Sequence, residues 1–119
     1  MELENTKIPL DLSECFEIIN EILNKSEDRE WFINTTEEDA VLSTHHALGE
    51  WIREKWMLWD NSSSLYLHFF RMGLCNPNDM SVFVLRSFYR HIHKKDLKLT
   101  EQIEKITLYW KEFNQINKK

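Results

Sequence analysis

Five histidines and a few well-placed charges are what this 119-residue chain offers for chemistry. Two of these residues, His45 and Arg53, fall within HHALGEWIREKWMLW at residues 45–59. An imidazole held in a cleft changes charge near neutral pH and suits proton transfer or ligand binding. A guanidinium beside it would anchor an anionic ligand or partner. Asp79, in the turn at residues 76–79, is the third candidate for binding. Each residue also has a plainer reading. His45 could be a core histidine whose second nitrogen meets a carbonyl or water. Arg53 could pair with a carboxylate, or cap carbonyls of the turn at residues 76–79. Asp79 could simply help to cap the helix that follows the turn.

The more demanding chemistries lack their residue patterns. His91 and His93 sit about 200° apart on a helix, and His45 and His46 about 100° apart, both poor chelates. There is no H-E-x-x-H, so no metal and no cofactor is expected. Ser81 in the sequence DMS has no nucleophile elbow around it. The two glycines, Gly49 and Gly73, are 24 positions apart and build no phosphate loop. The carboxylates fall on water-facing helix sides, and no acid–base pair stands out. No catalytic residue is therefore assigned, and the balance is against an enzyme. Arg71, Arg86, Arg90, Lys94, Lys95 and Lys98, with Phe88 and Tyr89, could form a basic-aromatic patch. The pI near 5.5 and the core's need for those rings argue against nucleic acid.

The elements that must hold these residues are helical. On a helical wheel Val41, His45, Leu48, Gly49, Ile52, Trp56 and Trp59 share one stripe, at spacings of three, four and seven. Three tryptophans in nine residues make this segment, starting at Thr36 and ending before residues 60–62, the expected post for the other helices. Gly49 on that stripe implies that another backbone or a large ring comes close. Upstream, Asp11 caps a helix whose stripe is Leu12, Cys15, Phe16, Ile19, Ile22 and Leu23. Ser26 caps a short helix offering Trp31 and Phe32 to the core. Downstream, Ser62 or Ser63 caps a helix that stops at Gly73. Met80, Val84, Leu85, Phe88, Tyr89 and Ile92 keep helical spacing. Thr100 caps a last helix with Ile103, Ile106, Trp110, Phe113 and Ile116 on one face.

The pattern H-x-x-x-G-x-W-I-R-x-x-W-x-L-W resembles the signature of a family of small bacterial domains of unknown function. The later block FFRMGLCNPNDMSVFVLRSFYRHI is similar to that family's second block, and the likeness spans roughly residues 40–112. Glu54 stands where the pattern implies Asn, and Asn78 where it implies an acid. The resemblance implies a fold and carries no activity.

Composition completes the expectation. Apolar residues make up 42%, enough for one core, with only 2 Gly and 2 Pro. Residues 1–60 carry 15 acids against 5 bases and residues 61–119 carry 5 against 10, so a net −10 faces a net +5. Either the halves pack and partly neutralise, or an acidic side awaits a basic partner. Cys15 and Cys75 read as free thiols. No apolar run reaches membrane-spanning length and no signal peptide is evident, which points to the cytoplasm. The sequence therefore predicts an all-α, compact single-domain bundle of about four long helices and one short one. The domain should span residues 1–119, with loose ends at 1–9 and 117–119. Its expected role is a non-enzymatic protein-interaction module of immunity, antitoxin or adaptor type. The alternative is a small enzyme or ligand binder with a cleft around His45 and Arg53.

Overall fold

Six helices follow one another in the computed structural model, which describes residues 7–116. They are α1 (Leu12–Asn24), α2 (Asp28–Asn34), α3 (Glu37–Lys55), α4 (Ser64–Met72), α5 (Pro77–Ile92) and α6 (Leu99–Ile116). Four are long, as expected, but two are short, since α4 has only 9 residues beside the 7 of α2. No strand occurs among the described residues. None of their helices is long and apolar enough to cross a membrane.

The caps explain most boundaries. Asp11 accepts the Glu14 N–H (2.9 Å), while Glu14 reaches back to the Leu10 N–H (3.1 Å), a near-reciprocal capping arrangement. Thr36 accepts the Asp39 N–H (3.2 Å) and Ser63 the Tyr66 N–H (3.2 Å). Asn76 starts α5 by accepting the Asn78 N–H (2.8 Å), with Pro77 in the first turn, where its missing donor costs nothing. Gly73 ends α4 at φ +112°, a left-handed conformation that glycine adopts without a Cβ clash. The last helix begins at Leu99, one residue before its expected cap Thr100, and the side chain facing its neighbour is Gln102.

The expected post is displaced. It is α5, not α3, that packs against α1, α2, α3 and α6. The reason lies in its circumference: Met80, Ser81, Phe83, Val84, Leu85, Ser87, Phe88 and Tyr89 are all buried. Large apolar groups alternate there with serines small enough to let a neighbour approach. By contrast, α3 keeps a wet face of Leu42, His46, Ala47, Glu50 and Glu54. It also ends four residues earlier than its stripe suggested. Trp56 is the C-cap, and Met57 turns the chain with φ 56°. Trp56 is therefore fully buried, Leu58 follows it inward, and Trp59 is 62% exposed. A left-handed residue between two tryptophans ends the helical period, which wheel arithmetic cannot foresee.

The core joins Cys15, Phe16, Ile19 and Leu23 of α1 to Phe32 of α2, Ile52 of α3, Leu65 and Phe69 of α4, and the inner side of α5. Trp31, expected inside with Phe32, is 47% exposed. α6 is only half docked. Gln102, Ile103 and Ile106 touch the body, while Leu108, Tyr109, Phe113 and Ile116 are exposed.

Candidate functional site

The spacing of His45, Gly49 and Arg53 places all three on the face of α3 that meets α5. Arg53 is 8% exposed, unusual for a cation. Gly49 explains how it fits. A Cβ built on Gly49 would stand 3.0 Å from Arg53 Nη1 and 3.7 Å from His45 Nδ1. The close approach is therefore made by the guanidinium one turn along the same helix, in place of the foreign backbone or ring that the glycine suggested. Arg53 Nη1 donates to Ser81 Oγ (2.8 Å), and the Ser81 hydroxyl donates to the Asn78 carbonyl (2.9 Å). This relay ties α3 to the first turn of α5.

Of the three predicted site residues, the fold unites two. His45 sits beside Arg53, and its Nδ1 is buried without a hydrogen-bond partner among the described residues. Burial, then the charges of Arg53 and His46, hold its pKa below the ordinary histidine value and favour the neutral ring. Asp79 lies apart, accepting the Trp110 indole N–H from α6 (2.8 Å). Among the described residues, no carboxylate forms an ion pair with Arg53.

A second polar centre lies where α5 meets the start of α3. Arg90 grips Glu37 through Nε (2.8 Å) and Nη2 (3.0 Å), and Arg86 bridges Glu37 (2.8 Å) and Glu38. These hydrogen bonds, Arg90's first, lower the Glu37 pKa to about 2. The arginines line a cleft of about 410 Å³ toward α6, shared with Asp79, Glu101, Lys105 and Tyr109. The charge asymmetry between the chain's halves is thus partly neutralised across the α3–α5 contact. The basic-aromatic grouping does not assemble, because Phe88 and Tyr89 are buried and the two arginines face acids. His93, read from its spacing only as half of a poor chelate, lies between two carbonyls. Nδ1 is 2.7 Å from Tyr89 O and Nε2 is 2.8 Å from Ile33 O of α2.

A third feature is a groove of about 440 Å³ between α1, α2 and α3. Ile22, Leu23, Phe32 and Leu48 contribute its apolar surface, with Trp31 and Trp51 beside them, and Asp28 is its one charged lining residue. Sequence reading missed it, although Trp51 lies off the buried stripe and Trp31 follows two acidic residues of a short helix, Asp28 and Glu30. Neither His45 nor Arg53 lines this groove or the cleft along α5.

Chemically the three features differ. The paired charges beside α5 commit Glu37 and Glu38 to Arg86 and Arg90. Cys15 is buried, which pushes its thiol pKa far up and makes it a poor nucleophile. Among the described residues, no three His, Cys, Asp or Glu side chains gather as a metal site would require. The geometry defines a small helical domain with an acidic, mostly apolar groove and one buried, uncompensated arginine. The chain belongs to the family described as a domain of unknown function, DUF6794, which it matches over residues 8–92. That range takes in α1 to α5 whole and leaves α6 outside. No curated protein and no solved structure matches the chain.

Proposed function

We propose that this chain is a non-enzymatic protein-interaction domain, of the immunity, antitoxin or adaptor kind, working in the bacterial cytoplasm. Its partner is a protein that presents an amphipathic, basic segment. The groove between α1, α2 and α3 carries the proposal. Its surface is largely apolar, it is open, and it is large enough for two or three side chains. The one charged residue that lines it is acidic. Asp28 lines it, Glu30 lies on the same helix α2, and Glu50 and Glu54 continue the α3 face that holds Ala47, with Lys55 beside them. Such a rim attracts lysine or arginine flanking an apolar anchor, and rejects acidic competitors. The alternative, a small enzyme or ligand binder with a cleft around both His45 and Arg53, has less support, because neither residue lines the groove or the α5 cleft.

The test captures partners from the native host on wild type, Ala47→Arg and His45→Gln. Ala47 is exposed, so the new arginine blocks and repels without entering the core. A protein held by wild type and His45→Gln, lost from Ala47→Arg, and weakened by salt supports the reading. Equal retention by all three, or loss from His45→Gln alone, overturns it.

A further inference from the structure

We propose that the outer edge of Arg53 is a binding site for a carboxylate group. The argument is independent of the groove. A guanidinium carries five N–H donors and cannot shed its charge. Arg53 is 8% exposed, and its one hydrogen bond among the described residues goes from Nη1 to a neutral hydroxyl. A buried charge without a counter-charge is expensive, and natural arginines this deep are paired. Even the half-buried arginines Arg86 and Arg90 obey that rule, because each holds a glutamate.

The surroundings keep Arg53 uncompensated and fixed. His45, the neighbouring titratable group, is held neutral. Gly49 gives the guanidinium its seat, and Ser81 pins Nη1 while its own proton is committed to Asn78. The unpartnered Nε and Nη2 are not sealed off, unlike His45 Nδ1, so they reach the surface. Those two nitrogens form one edge of the planar fork. Their parallel N–H bonds match the two oxygens of a carboxylate. The same chemistry comes from a free small carboxylic acid or from an acidic residue of a bound protein.

Side-chain nitrogen NMR of the whole chain tests this, following the Arg53 Nε–H signal, assigned by its absence in Arg53→Lys. Acetate and a capped glutamate-containing peptide are titrated separately, with chloride holding ionic strength constant. The expected result is a saturable Arg53 shift, weakened about tenfold or more in Ser81→Ala, where the fork loses its pin. A response to acetate supports the site with free acids as a source. A response to the peptide alone supports it with a partner residue as the source. The proposal is overturned if neither carboxylate moves the Arg53 signal. It is also overturned if the ligand-induced backbone shifts around residues 49–53 persist unchanged in Arg53→Lys.

Discussion

Two tryptophans three residues apart have opposite fates. Trp56 is fully enclosed, in edge contact with Trp51 at 6.0 Å between ring centres, whereas Trp59 is 62% exposed. Trp56→Ala should therefore cost about 3–5 kcal/mol in denaturant unfolding, the range for a large aromatic removed from a core. Trp59→Ala should stay within about 0.5 kcal/mol. Glu37 gives a second residue-level prediction. Its carboxylate is favoured by Arg90 and Arg86, so its folded pKa, about 2, lies below the unfolded value of 4.5. The folded state then binds fewer protons than the unfolded chain. That stabilisation is fully present above pH 4.5 and fades as the pH falls toward 2. In acid titrations followed by circular dichroism, Glu37→Gln should lose stability at neutral pH and show a flatter acid limb than wild type. Gly49 was legible as unusual from its place on the apolar stripe, whereas Arg53 was legible as a candidate anchor and not as a buried cation. Their relation to each other was not, because a glycine's missing atom does not say which neighbour uses the space.

At the level of elements, the helices and their caps were readable because the signals are local. Asp11, Thr36, Ser63 and Gly73 act within four residues of themselves. What failed was long-range. The rank of α5 over α3 depends on which helix is enclosed on more sides, and Ser81 and Ser87 read as polar until a neighbour is seen against them. The tie between α2 and α5 is also long-range, since His93 reaches the Ile33 carbonyl 60 residues away. His93→Ala leaves the partly buried Ile33 carbonyl without its ring partner, while the Tyr89 carbonyl keeps the backbone N–H of residue 93. It should cost about 1–3 kcal/mol. In hydrogen exchange it should speed the amides of α2 more than those of α4, because α2 loses the tie; equal acceleration in both would contradict that assignment.

On the scale of the molecule, the charge asymmetry of the sequence resolves into two surfaces. Part of the acid is consumed by Arg86 and Arg90 at the α3–α5 contact, and part remains around the α1–α3 groove. Net charge foretold both possibilities, but only the three-dimensional arrangement divides the acids between them. The same holds for the apolar groups. Periodicity placed Phe113 and Ile116 on one face of α6, yet the body ends before it can cover them. The account's central claim is that the groove is where a partner docks. The chain has 5 tryptophans, at positions 31, 51, 56, 59 and 110, so 5-fluorotryptophan gives each region its own fluorine signal. With the captured partner added, fluorine NMR should move the Trp31 and Trp51 resonances and leave Trp59 and Trp110 in place. Unmoved Trp31 and Trp51 beside a shifted Trp59 or Trp110 would contradict the account.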